Sequence, residues 1–167
     1  SARQRAHVQQ LTGRKGDIMD GKVLARIAAI IFVAVAITAA IIEMTDRDGQ
    51  VLLARNAAWQ GRMFALITGF MEAGETAEEG IVREVFEETG LRPDAPKLVG
   101  VYDFQRMNQL IVAYHVQAQG EIVLSPELAE YKLFRPEGIR CWRAGTGYAL
   151  ADWLSTKGIT PMWMDPA

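Results

Sequence analysis

The segment GFMEAGETAEEGIVREVFEETGL, residues 69–91, carries seven carboxylates between Glu72 and Glu88 and one basic residue, Arg83. Thr76 has the side-chain oxygen of an N-cap, Glu78 and Glu79 follow in the first turn, and Gly90 stands where a left-handed C-cap belongs. The spacing therefore predicts a helix running to about Thr89. Ala77, Ile81, Val82, Val85 and Phe86 form its apolar stripe, while Glu84, Glu87 and Glu88 share a neighbouring face. Like charges three and four residues apart cost a helix a few tenths of a kcal/mol per pair, so something should offset them. A solvated acidic face is one explanation. The other is a site for a hard divalent cation, Mg²⁺ or Mn²⁺, which prefers carboxylate oxygens.

Outward from this helix the chain reads as strands. MFALITGF (63–70) is an apolar segment ended by Gly69. TDRDGQ (45–50) is a hairpin turn in which Asp48 and Gly49 supply the positive φ angles, and VLLAR (51–55) is its returning strand. Residues 27–42 are apolar except for Thr38. That run falls short of the roughly 18–20 residues that span a bilayer, and it reads as one or two buried strands covered on both faces. Downstream, 92–96 is a loop, KLVGVYDF and QLIVAYHVQAQG are strands, and GEIVL and EYKLF are shorter strands around a Ser125-Pro126 turn. GTGYALADWLST (145–156) closes the chain as a helix with Leu150 and Leu154 in phase. Helices and strands do not alternate regularly, so an α/β fold with a mixed sheet is expected.

The 167 residues, half of them apolar, suit one domain over 27–167 preceded by a polar N-terminal tail or arm at 1–26. A net charge of −2 gives no general attraction to nucleic acid, and no membrane partner is expected. Cys141 is the only cysteine, which excludes an intramolecular disulfide and a cysteine-pair zinc site and fits a cytoplasmic protein. Were residues 27–42 to include an edge strand, the excess apolar surface would favour a homodimer.

The helix segment resembles the signature of the Nudix hydrolases, G-x5-E-x7-R-E-U-x-E-E-x-G-U with U aliphatic. Gly69, Glu75, Arg83, Glu84, Val85, Glu87, Glu88, Gly90 and Leu91 fill every specified position. With seven positions fixed by residue type, a chance match is on the order of 10⁻⁸ per window, relaxed about a hundredfold for a Glu-rich helix. The resemblance implies an α/β/α sandwich around a central mixed β-sheet. It also implies hydrolysis of a nucleoside diphosphate linked to another group. Glu84, Glu87 and Glu88 would hold Mg²⁺ or Mn²⁺, Glu75 would stand behind them, and Arg83 would pair with acids to fix the helix start. Gly69 would turn the backbone tightly and offer its carbonyl to the metal.

Around the signature, ALITGFMEAGE is similar to the catalytic domain of NADH pyrophosphatases, as is QGEIVLSPELAEYKLF, where a late glutamate completes the metal site. Glu130 matches that glutamate, with Glu127 as the alternative. Phe70 matches an aromatic that stacks on the substrate base, and Tyr102, Phe104 and Trp59 are further candidates for the platform. The S-Q-P-W-P-F-P motif of that group is absent, with VYDFQRMNQ at 101–109 instead, and so are the zinc-ribbon cysteines. Arg55, Arg62 and Arg106 are candidates for gripping phosphate oxygens. The substrates implied are NAD(H) or ADP-ribose. Nucleotide sugars, dinucleoside polyphosphates and nucleoside triphosphates are the alternatives, and a non-catalytic nucleotide-binding module is a further one.

Overall fold

Where it is described, the apolar run is a single strand, β1 (Val35–Met44). The computed structural model describes residues 35–164, so the expected tail at 1–26 and the first part of the run, 27–34, lie outside the described residues. Side chains along β1 alternate between two cores. Ile37, Ala39 and Ile41 pack with Ala149, Leu150 and Leu154 of the helix α2 (Thr146–Thr156), whereas Ala40, Ile42 and Met44 pack with Ile81 and Val85 of the helix α1 (Ala77–Thr89). A strand covered by a helix on each face must be apolar at successive positions, which is why the sequence shows no alternation.

The remaining strands are β2 (Gln50–Asn56), β3 (Ile67–Phe70), β4 (Lys97–Phe104), β5 (Gln109–Ala118), β6 (Leu128–Phe134), β7 (Arg140–Cys141) and β8 (Met162–Trp163). With β1, five of them form a six-stranded mixed sheet in the order β4-β5-β1-β2-β6, with β3 also on β1, while β7 and β8 pair separately. β1 runs parallel to β5 along its whole length. Its other edge is shared, Ile37–Ala40 pairing with β3 and Ile42–Met44 with β2. Within the described residues β1 thus has neighbours on both edges. Among the described residues no helix is long and apolar enough to cross a membrane.

Local chemistry sets the elements that carry the site. Asp48 (φ 53°) and Gly49 (φ 68°) turn the β1–β2 hairpin. The Thr76 hydroxyl accepts from the Glu79 amide and the Glu79 carboxylate from the Thr76 amide, a complete capping box. Gly90, at φ 70°, ends the helix with its amide on the Phe86 carbonyl. Ile81 and Val85 are fully buried and fasten α1 to the sheet, each side chain contributing about 1.5–3 kcal/mol. Phe86, expected in the apolar stripe, is 43% exposed and lies under the Arg92 guanidinium.

The strand expected at GEIVL does not form. The amides of Val123 and Ser125 donate instead to the carbonyls of Thr89 and Glu88, at 2.9 and 3.0 Å. The last turn of a helix leaves carbonyls without intrahelical partners, and this segment supplies donors for two of them.

Candidate active site

Strand β3 meets β1 in antiparallel register with Gly69 opposite Thr38 and Ile67 opposite Ala40. Directly opposite residues point to the same face, here the face covered by α1. Gly69 lies within β3 and makes no turn; the reason for glycine is clearance. A Cβ at this position would stand 1.7 Å from Cδ of Glu84. The bare backbone of β3 is therefore the floor on which the Glu84 carboxylate rests, which corrects the tight turn expected from sequence. Gly80 plays a similar part within α1, where a Cβ would lie 2.8 Å from Oε1 of Glu75.

Arg83 holds the acids together. Its Nε and Nη2 donate to the two oxygens of Glu75 at 3.1 and 2.8 Å, its Nη1 to Glu84 and Glu87 at 2.8 and 3.0 Å, and its Nη2 also to the Phe70 carbonyl. One guanidinium thus joins the loop before α1, the end of β3 and two residues of the acidic face. The Arg83 hydrogen bonds, aided by the Glu72 amide at 2.7 Å, hold the Glu75 carboxyl down to about 2. Arg83 itself is raised, chiefly by Glu75, and stays protonated. Glu84 moves the other way. Burial raises its pKa, with smaller upward contributions from Glu87 and Glu88 and a downward one from Arg83. Glu88 accepts from the Ser125 hydroxyl at 2.6 Å, and that hydroxyl in turn accepts from the Glu127 amide.

Arg83, Glu84, Glu87 and Glu88 line a cleft of about 490 Å³ whose walls also include Glu72, Glu127 and Asn56. Among the described residues no three acidic or imidazole side chains already converge on one point, because Arg83 holds Glu84 and Glu87 while Ser125 holds Glu88. The donor set nonetheless fits a hard divalent ion. The donors it offers are oxygens, most of them carboxylate, and the glycine floor keeps the space that a side chain would fill.

An apolar cleft of about 720 Å³ adjoins the acidic one, the two sharing Ile37, Thr68, Phe70 and Gln109. Trp59, Met63, Phe104, Met107 and Trp142 line it, together with Arg106. Phe70 is 59% exposed, so it is not a core residue; it stands where the two clefts meet.

Several expected site residues lie elsewhere. Glu130 is paired across β2–β6 with Arg55, at 3.0 Å, and does not line the acidic cleft, whereas Glu127 does. The reason is parity. Arg55 shares the face of Leu53, and Glu130 that of Lys132, whose ammonium sits over Phe64 on the α2 side of the sheet. Arg62 lines a separate hollow with Phe64 and Phe134. Tyr102 is no free platform either, since its hydroxyl donates to Asp152 of α2 at 2.7 Å. Sequence reasoning missed Ser125, Gly80, Glu72 and Asn56. Two of them left a signal: Gly80 as a glycine inside a helical pattern, and Glu72 as the first of the clustered carboxylates.

The family model described as the NUDIX domain matches residues 35–153. The chain is 33% identical over 115 residues to an NAD-capped RNA hydrolase NudC of Mycobacterium tuberculosis, covering 67% of this chain and 35% of that protein. It is 49% identical over 59 residues to an ADP-ribose pyrophosphatase of Methanocaldococcus jannaschii, 34% of each chain. The chain thus spans about a third of the length of the curated relatives it matches. A NUDIX hydrolase structure from Nitrosomonas europaea superimposes with a TM-score of 0.63 at 23% identity, over 79% of this chain and 77% of that one, and so shares the fold. With the complete signature, the sandwich around a mixed sheet and a family match over most of its length, the chain belongs to the NUDIX family.

Proposed function

We propose that this domain is a divalent-metal-dependent pyrophosphohydrolase that cleaves the diphosphate of a nucleoside diphosphate joined to a second group, with NAD(H) and ADP-ribose as the first substrates to test. The observation that carries the reading is the adjoining of the two clefts, one walled by carboxylates and one by aromatic and apolar side chains, with Phe70 between them. A diphosphate with a base attached needs such a pair of environments. Relatives named as an NAD-capped RNA hydrolase and an ADP-ribose pyrophosphatase support the choice of substrates.

Mg²⁺ or Mn²⁺ would be held by Glu84, Glu87, Glu88 and the Gly69 carbonyl, with Glu127 in the role first assigned to Glu130. Bound there, the ion supplies neutralisation of phosphate charge and activation of a water. The protein's own residues do the positioning. Arg83 fixes Glu84 and Glu87 relative to Glu75, and the Ser125 hydroxyl fixes Glu88. Phe70 and Trp59 offer faces for the base, and Arg106 is the cation of the apolar cleft.

The test is phosphate release, coupled to alkaline phosphatase, from NADH, NAD, ADP-ribose, nucleotide sugars, dinucleoside polyphosphates and nucleoside triphosphates, with and without Mg²⁺. An NAD-capped oligoribonucleotide is followed separately by its shift on a gel. Metal-dependent turnover of an NAD or ADP-ribose compound is the expected result. Silence of a folded protein on every substrate would overturn the reading in favour of a binding module.

A further inference from the structure

The described part of the apolar run contains one polar side chain, Thr38, and the fold treats it unusually. Thr38 is completely buried, and its Oγ1 is the one buried side-chain oxygen or nitrogen among the described residues that has no hydrogen-bond partner. A buried hydroxyl without a partner is costly, and a valine of nearly the same shape would avoid that cost. Its location gives the hydroxyl a use. Thr38 is directly opposite Gly69 on β3, and opposed residues carry their Cβ positions about 5 Å apart on one face of the sheet. The Gly69 position is the one on which Glu84 rests, 1.7 Å from its Cδ. Thr38 therefore shares the sheet face on which the Glu84 carboxylate rests, at the position next to its floor and closed to solvent. Oε1 of Glu84 is held by Arg83 at 2.8 Å.

We propose that Thr38 is a positioning residue for the metal site, its hydroxyl donating to the Glu84 carboxylate when a divalent ion is bound and standing unpaired when it is not. The inference rests on the assignment of Glu84 as a metal ligand. It explains a hydroxyl at a position whose neighbours along the strand, Ile37 and Ala39, are apolar. A ligand carboxylate that shifts from Arg83 toward a cation needs a donor behind it, and groups behind metal ligands typically change affinity by roughly 10- to 100-fold.

The experiment compares wild type, Thr38→Val and Thr38→Ser by thermal unfolding in EDTA and by Mn²⁺ titration followed through paramagnetic broadening of the free ion signal. Thr38→Val is expected to raise the Tm of the metal-free protein by roughly 2–8 °C, since an unpaired hydroxyl disappears. The same variant is expected to weaken Mn²⁺ binding about tenfold or more, and Thr38→Ser to keep wild-type affinity within about threefold, the hydroxyl being retained. Opposite signs in the two states are the signature, because a merely structural threonine would not stabilise one state and impair the other. Wild-type Mn²⁺ affinity in Thr38→Val would overturn the role of Thr38 and leave the metal site standing. No Mn²⁺ binding by wild type would overturn the metal site itself.

Discussion

Gly69→Ala tests the idea that β3 is a floor for Glu84. The added methyl carbon would lie 1.7 Å from Cδ and 2.1 Å from Oε1 of Glu84, against a comfortable separation of roughly 3.5–4 Å. The carboxylate must retreat by about 2 Å, carrying it off Arg83 and away from its place in the cleft. Misplacement of a reacting or ligating group by about 1 Å costs on the order of 100-fold in rate, so kcat/KM should fall at least 100-fold, about 2.7 kcal/mol of transition-state stabilisation. Stability should hardly change. Alanine in a strand with ordinary backbone angles gains about 0.4–1 kcal/mol through the unfolded state, which offsets the loss of one Arg83–Glu84 hydrogen bond of about that size. The assay is Mg²⁺-dependent turnover beside a melting curve, with Gly138→Ala as control because an added Cβ there meets nothing within 4 Å. Activity of Gly69→Ala within about threefold of wild type, judged against the 100-fold loss expected for such a displacement, would refute the reasoning.

Glu87→Gln and Glu88→Gln should each remove most turnover while leaving the melting temperature close to wild type; retention of turnover in both would sink the assignment of the acidic cleft as the metal site. Phe70→Ala should raise KM for a nucleotide substrate about tenfold, the loss of roughly one stacking contact. Because Phe70 is 59% exposed, the truncation should spare the several kcal/mol that a core phenylalanine would forfeit, and a large drop in the urea midpoint would show it to be core after all. Glu75, held down to about 2 from an ordinary 4.5, contributes stability that is fully present above about pH 5 and is lost as pH falls toward 2. The gap in urea midpoint between wild type and Glu75→Gln should therefore close over that interval, and a gap independent of pH would exclude the ion pair with Arg83 as its source.

The helix at the heart of the site could be read from sequence because its boundaries are set by short-range bonds. Thr76, Glu79 and Gly90 each act within a few residues of themselves. The β1–β2 hairpin was legible for the same reason, through Asp48 and Gly49. What failed depended on partners far along the chain. GEIVL has the composition of a strand, yet the amides of Val123 and of Ser125 just beyond it serve the end of α1, more than thirty residues earlier. Choosing Glu127 over Glu130 required the register of β6 on β2, with the irregularity between Arg55 and Asn56 that shifts it. Nothing near either glutamate encodes that register. Tyr102 resembled a stacking platform until α2 supplied Asp152 as its acceptor. The signature glycine was located correctly by spacing, but its purpose was visible only once Glu84 stood above it.

The parallel pairing of β1 with β5 bears on how the chain acquires its shape. Val35 is hydrogen-bond neighbour to Gln109 and Met44 to Ala118, so every rung of that ladder closes a loop of more than seventy residues. Such contacts form slowly, because chain entropy is lost long before they repay it. During synthesis β1, β2, β3 and α1 emerge from the ribosome before β5 exists, and one long side of β1, among the most apolar strands of the molecule, waits with its amides and carbonyls open. Until β5 arrives that side is a template for strands of other chains. Lowered synthesis temperature or chaperone supply should therefore raise the soluble yield, and truncations ending before residue 109 should aggregate.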